Sequence, residues 1–203
     1  MERTGVRGEG AAPIYNIVGE RVALGPLRRD LIPTYLRWHN DFHVMRTFDT
    51  PRPKTLDWMT AWYERQAVGE NALWFTVYEH AGGAPVGHTD LFDIDPRNRT
   101  ATFGILIGAA AGRGKGYGTE TTRLMLDYAF TAVGLHSVML TTDEYNRAGQ
   151  RAYARAGFRE FGRRRQSTLL AGKLWDTIYM ECLATEFASP VLGRVFVPDE
   201  SRP

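Results

Sequence analysis

The sequence predicts one domain built on a mixed α/β sheet, and two stretches of the chain carry that prediction. Over residues 72–108, three strand patterns follow one another through short turns, which points to antiparallel pairing. Over residues 99–157, strand, glycine-rich loop, helix, strand and helix alternate, which adds helices to the same sheet. A length of 203 residues, 43% hydrophobic and 24% charged, suits a single domain able to bury a core.

Each element has a local reason. Residues 21–24 read as a short strand stopped by Gly25-Pro26. Asp30 is placed to cap a helix running to about Asn40, with Pro33 in the first turn, where its missing N–H costs nothing. Thr55 opens a second helix in which Leu56, Met59 and Tyr63 recur at helical spacing. Residues 72–79 form a strand, Gly82-Gly83 a hairpin turn and residues 85–94 the returning strand. Asp95-Pro96-Arg97-Asn98 turns the chain into a strand over 99–108. After the loop, Leu126, Ala129, Phe130 and Val133 share a helix face that Gly134 stops. Residues 137–142 give the next strand, and Asn146 caps a helix that Gly157 ends. Two strands follow from Phe158, the second over about 175–183.

Composition excludes several classes. Twenty-five basic against twenty-three acidic residues leave a net charge of +2, too balanced for bulk binding of nucleic acid or an anionic membrane. The single cysteine, Cys182, allows no intrachain disulfide framework and sits in an apolar run as a core residue. No stretch approaches the ~18–20 apolar residues of a membrane span. Residues 1–13 read as a disordered tail, 14–188 as the domain and 189–203 as a tail outside the packed core. The expected compartment is the cytoplasm.

Arg113-Gly114-Lys115-Gly116-Tyr117-Gly118-Thr119 is the most informative stretch. It lies between a strand and a helix start, where free N–H groups and the helix dipole favour an anion. Its glycines allow close approach to phosphate oxygens, and Arg113 and Lys115 add charge. A P-loop would need Ser or Thr after Gly-Lys, and a Rossmann fingerprint would need Gly-x-Gly-x-x-Gly; neither spacing is present. A flexible surface turn is the plain alternative. The strand before and the amphipathic helix after favour the phosphate cradle.

Arg113-x-x-Gly116-x-Gly118 resembles the acyl-CoA pyrophosphate loop of the GNAT superfamily of N-acetyltransferases, whose pattern is Gln/Arg-x-x-Gly-x-Gly/Ala. Asn146-x-x-Gly149-x-x-x-Tyr153-x-x-x-Gly157-Phe158 resembles the family's later strand-to-helix signature. Trp38-His39-Asn40-Asp41 and Trp175-Asp176-Thr177-Ile178-Tyr179-Met180 look like the branch of ribosomal-protein N-terminal acetyltransferases. The resemblance covers about residues 20–187. It implies a GNAT-like, mostly antiparallel sheet with helices on both faces, and direct attack of a primary amine on acetyl-CoA. The acceptor class spans a protein N-terminus or a small-molecule amine; a homodimer is allowed, and neither nucleic acid nor membrane is a partner. Within the same resemblance, Ile105, Leu106 and Ile107 would pair with the pantetheine amides like an added strand. Amides from Gly114 to Thr119 would cradle the pyrophosphate. Asn146 would cap its helix, bind a pantetheine amide, or do both. Tyr153, on roughly the same helix face, would protonate the departing thiolate or serve as a core aromatic.

The usual glutamate positions of the family fall here on Thr102 and Thr141, and a threonine takes up no proton at neutral pH. Asp90 and His88 are the nearest substitutes as base; they share a face with Thr102 only if the hairpin pairs even positions with even. Glu144 is a third candidate. His39 and His43 are four apart, but a zincin would need glutamate where Asn40 stands, and no metal is expected. With Trp58 and Trp62, that segment would wall the acceptor. The rivals are a different acyl-CoA reaction on the same scaffold and a non-catalytic acyl-CoA sensor.

Overall fold

The computed structural model describes residues 12–48, 52–69 and 71–199. Strands β1 (Ile17–Val18), β2 (Val22–Pro26), β3 (Leu73–Glu79), β4 (Pro85–Asp95), β5 (Thr100–Ile107), β6 (Ser137–Asp143), β7 (Arg159–Leu170) and β8 (Lys173–Leu183) form one sheet. Their order is β1-β2-β3-β4-β5-β6-β8-β7. Helices α1 (Ile32–His39), α2 (Phe42–Met45) and α3 (Leu56–Val68) precede β3, while α4 (Tyr117–Asp127) and α5 (Arg147–Ala156) flank β6. Every neighbouring pair of strands is antiparallel except β5 with β6. The sheet is therefore mixed and mostly antiparallel, as the sequence predicts. Among the described residues no helix is long and apolar enough to cross a membrane.

The predicted caps and turns act where they fall. Thr55 Oγ1 accepts the Trp58 N–H at 3.2 Å, and Asp95 Oδ1 accepts from the Arg97 and Asn98 amides at 2.9 Å each. Gly134 ends its helix at φ +77°, a conformation that costs glycine little. Asp30, in contrast, does not cap α1. Arg28, two residues earlier, grips both of its carboxylate oxygens at 2.9 and 2.6 Å and holds the carboxyl below its usual range. The helix instead starts from Leu31 with no side-chain cap. The short helix α2 is an addition to the prediction; Asp41 caps it through the His43 amide at 2.9 Å. His39 and His43 consequently sit on different helices. At Tyr128, α4 passes into a π turn, Tyr128–Ala132.

Pleating divides β3–β5 into two faces, each covered by helices. Phe75, Val77, Leu91 and Phe103 join a core with Leu124, Met125 and Leu126 of α4. On the other face Leu106 joins Tyr35, Trp38, Met59 and Trp62 from the α1–α3 layer. Cys182 is buried in the first core, where burial pushes its thiol up to about 11.

The β5–β6 ladder is short. It runs from Thr100↔Ser137 to Thr102↔Met139 and stops. Beyond it β5 stays with β4 as far as Ile107↔Gly87, and β6 stays with β8 as far as Asp143↔Thr177. Each strand follows its antiparallel neighbour, so the sheet opens into a fork.

Residues 1–11 of the expected N-terminal tail lie outside the described residues. The segment expected to lie beyond the packed core, 189–203, reaches into it at Leu192, which is 5% exposed. The reason is Asp127, fully buried at the end of α4: its Oδ2 accepts the Val191 and Leu192 amides at 2.9 and 2.8 Å, and its Oδ1 accepts from Thr131 at 2.9 Å. Asp127→Ala would leave those buried donors without an acceptor. We expect a loss of about 3 kcal/mol in urea unfolding, with faster amide exchange at Val191 and Leu192. An unchanged midpoint would mean that the segment docks through Leu192 alone.

Candidate active site

The fork opens into a cavity of about 430 Å³. Ile105, Leu106 and Ile107 of β5 form one wall, and Asn146 and Tyr153 of the α5 segment form another. The loop before α4 contributes Arg113, Gly114, Gly116, Tyr117, Gly118 and Thr119. On the side of α2, His43, Val44, Arg46, Thr47 and Phe48 close it. The cavity thus joins most of the sequence-predicted residues and leaves out Lys115, His88 and Asp90.

The loop conformation suits an anion. Gly114 and Gly116 have φ of +74° and +85°, left-handed positions that glycine adopts at little cost and that bring bare backbone to the cavity. Gly116 is also the N-cap of α4 and has no side chain to satisfy the first-turn amides. Those amides and the helix dipole face the same end.

Lys115 is held away from the cavity. Its Nζ lies 3.6 Å from Glu79 Oε1, and the Tyr117 hydroxyl donates a short hydrogen bond to that same oxygen. The Tyr117 bond, more than Lys115, holds the Glu79 carboxyl below its ordinary range. From behind, Arg21 Nη1 donates to the Lys115 carbonyl at 3.3 Å, and the Arg21 amide donates to Glu120 of α4 at 3.0 and 3.2 Å. Arg21 and Glu79, neither singled out from sequence, brace the loop.

Asn146 caps α5 as predicted, with Oδ1 accepting the Gly149 amide at 3.1 Å. One Nδ2 hydrogen goes to Thr142 Oγ1 at 3.2 Å, which leaves the other for a ligand. Tyr153 lines the cavity with its ring edge-on to Phe103 and Phe158. Burial pushes its phenol up to about 12, so it carries its proton throughout the neutral range.

The hairpin register pairs Phe92 with Thr102, Asp90 with Gly104 and His88 with Leu106. Even positions oppose even, so Asp90 and His88 share the face of Thr102. Asp90 lies directly over Gly104, where a Cβ would stand 2.5 Å from its Oδ1. It is 4% exposed, and burial lifts its carboxyl from 3.8 to about 7. His88 is sealed deeper, its ring stacked 7° from parallel on His39 with the two Nε2 atoms 3.0 Å apart. Burial first, and His39 second, hold it well below its usual pKa. His88 Nδ1 has no partner among the described residues, so donation from His88 Nε2 to His39 is the less costly tautomer. Glu144 turns outward to Arg147 and Arg163, at 3.6 and 3.9 Å. Trp62 is packed in the second core, and Trp58 is stacked under Lys54; neither lines the cavity.

A family model described as acetyltransferase (GNAT) domain matches residues 21–159. Spermidine N(1)-acetyltransferase of Escherichia coli (strain K12) is 27% identical over 160 residues, covering 78% of this chain and 84% of that protein. Its Vibrio cholerae counterpart is 26% identical over 149 residues, covering 73% and 85%. The crystal structure of spermidine N-acetyltransferase from Vibrio cholerae in complex with CoA and spermine matches in fold with a TM-score of 0.75. That match is 24% identical and covers 82% of this chain and 97% of that one. These relatives support the acetyltransferase resemblance and lend nothing to the ribosomal-protein branch.

A Cβ on Gly116 would meet Arg21 Nη1 at 2.5 Å, and the φ of +85° strains any branched residue. Gly116→Val is therefore expected to weaken CoA binding about tenfold or more by calorimetry, through the loop's own conformation. Adding Arg21→Ala relieves the contact and leaves the φ unchanged. Full recovery of affinity in the double variant would place the whole defect in the contact.

Proposed function

The chain belongs to the acetyltransferase (GNAT) family, and on that premise we propose that the fork between β5 and β6 is its active site, acting on a primary amine. The protein is an acetyl-CoA-dependent N-acetyltransferase. The observation that best supports this site is the uncapped start of α4, whose amides open onto the cavity that also holds Tyr153. In the proposed arrangement the loop amides and Arg113 take the pyrophosphate, and residues 105–107 pair with the pantetheine along the free edge of β5. The acetyl thioester then lies near Gly104.

The amine attacks the thioester carbonyl, the C–S bond breaks and one proton must leave the nitrogen. Asp90, over Gly104, takes that proton through a water held beside Thr102 or Thr141. Tyr153 protonates the departing thiolate. His88 supports the buried strip and stays neutral. The relatives' names put forward a polyamine as acceptor. We hold the class at a primary amine, because the charged residues among the described cavity lining are all arginines: Arg46, Arg113, Arg151 and Arg155.

Amine-dependent release of free thiol from acetyl-CoA is the direct test, and release indifferent to every amine in a broad panel would sink the reading. Tyr153→Phe should lower kcat about 100-fold or more and leave CoA affinity nearly intact, because the proton is needed only as the bond breaks. A loss under threefold would demote Tyr153 to packing. With a base near pKa 7, kcat/KM should have an acidic limb around neutrality, since only the deprotonated carboxylate accepts a proton. Asp90→Asn should remove that limb, and exchanging the acceptor for an amine of different pKa should leave it in place. A limb that follows the acceptor instead would show that no protein base operates.

A further inference from the structure

A strip of polar side chains runs through the apolar layer between the sheet and α1–α3. His88 and Asp90 stand two apart on β4 and share that face, with Thr76 and Trp74 of β3 as their cross-strand partners. His39 reaches the strip from α1, its Nε2 3.0 Å from His88 Nε2. Thr76 Oγ1 is satisfied by the Tyr35 hydroxyl and the Pro26 carbonyl, at 2.6 and 3.2 Å. Trp74 Nε1 and His88 Nδ1 are different: both are buried, and among the described residues neither has a hydrogen-bond partner. The rings that carry them have centroids 5.5 Å apart.

The chemistry of the histidine pair decides whether those two atoms conflict or match. An indole Nε1 can only donate. Two neutral imidazoles that meet through Nε2 place one proton between those atoms, so one ring donates and the other accepts. If His88 accepted, its own proton would sit on Nδ1, a buried donor beside the buried donor of Trp74. With His39 accepting, the proton sits on His88 Nε2, and Nδ1 becomes an acceptor. One water can then accept the indole N–H, give a hydrogen to His88 Nδ1 and bond to Asp90, three bonds being usual for a buried water. Side chains two apart on a strand face start about 6.6 Å from each other, a gap that one water spans.

We infer that His39 is a positioning residue of the active site: by accepting the His88 Nε2–H it makes His88 an acceptor toward Asp90 and so favours the form of Asp90 that carries a proton. The inference rests on the reading of Asp90 as the base and adds the residue that helps to keep it basic. Burial lifts the Asp90 carboxyl to about 7. An acceptor reached through water acts in the same direction, because only the protonated acid can donate along that path. A His88 Nδ1–H would act the other way, by supporting the carboxylate. Among the described residues, the titratable groups that face the strip are His88 itself and, from α1, His39 and Tyr35. Trp74 and Thr76 of β3, Gly104 of β5 and Trp62 of α3 complete its surroundings and carry no charge.

Nitrogen-15 NMR of the full chain labelled at histidine, at about pH 8 and above the usual histidine range, tests the first step without any variant. His88 Nδ1 should resonate as a lone-pair nitrogen and Nε2 as a protonated one. In His39→Phe, which removes the acceptor, the two should exchange. The Asp90 carboxyl, followed by carbon-13 NMR, should then titrate about one pH unit lower, the tenfold change expected from reversing one hydrogen bond. The acidic limb of kcat/KM should move with it. His39→Gln, whose side-chain oxygen can accept, should keep the His88 tautomer and most of the Asp90 midpoint. A proton on His88 Nδ1 in the unaltered protein would overturn the inference. So would an Asp90 midpoint that stays in place in His39→Phe, which would make His39 a packing residue. If the carboxyl midpoint moved and the limb did not, the link between His39 and Asp90 would stand and the reading of Asp90 as the base would fall.

Discussion

Past Thr102 and Met139 the parallel ladder between β5 and β6 has ended, while β4 and β8 still hold each strand from its far side. A buried strand edge left like this has backbone donors and acceptors facing a cavity, and such groups are costly unless something pairs with them. The fork is therefore more than a space between walls. It is an unfinished sheet whose completion by an extended amide-bearing ligand would satisfy the backbone. The loop at its mouth has the same character: the first turn of α4 starts at Gly116 with no side-chain cap. In the proposed site, backbone groups at a strand edge and at a helix start would meet the two ends of a single ligand.

Charges outside the cavity brace the loop. Arg21 reaches the Lys115 carbonyl, while Glu79 takes both Lys115 and Tyr117. Surface ion pairs of this kind add little to global stability. Their value is directional: they draw the Lys115 side chain out of the cavity and leave the amides turned inward. Pre-organisation lowers the ordering cost that ligand binding would otherwise carry.

Much of the fold was legible because local rules decided it. Thr55, Asn146 and Gly134 act as caps and stops where the sequence puts them, and β3–β6 fall on the predicted strand segments. The errors arose where a neighbour outside the local pattern intervened. Asp30 is a good capping residue that Arg28 occupies first. Lys115 belongs to the phosphate motif by sequence but is drawn off by Glu79 on another strand. The α2 wall rests on a four-residue helix, too short for any periodicity to reveal. Arg147, Arg151 and Arg155 are four apart in the sequence, yet only the position of α5 tells that Arg151 and Arg155 line the cavity and Arg147 does not. Asp90 depended wholly on register, since a one-residue slip would have turned it to the opposite core.

In the proposed mechanism, that register is what lets Asp90 stand in for a glutamate at Thr102 or Thr141. A side chain on β5 at Thr102 would start from the strand itself; Asp90 starts one strand away, about 4.8 Å across the sheet. It regains the distance because its cross-strand partner is Gly104, which has no Cβ to obstruct a carboxyl laid over the strand. The same placement buries the group and lifts it to about 7. The sign of the linkage follows. The folded chain keeps a proton on Asp90 between its ordinary pKa of 3.8 and about 7, whereas the unfolded chain has lost it. Stability from this group is thus fully present below the lower value and is lost as pH rises through the upper one. At neutral pH the carboxyl is near its half-ionised point, where a proton acceptor is both available and basic enough to act. A glutamate left in solvent at the fork would be ionised but a weaker base. On the proposed reading, placing the carboxyl under the α1–α3 layer exchanges some stability above neutrality for a base matched to an amine's proton, and Gly104 makes that placement sterically possible.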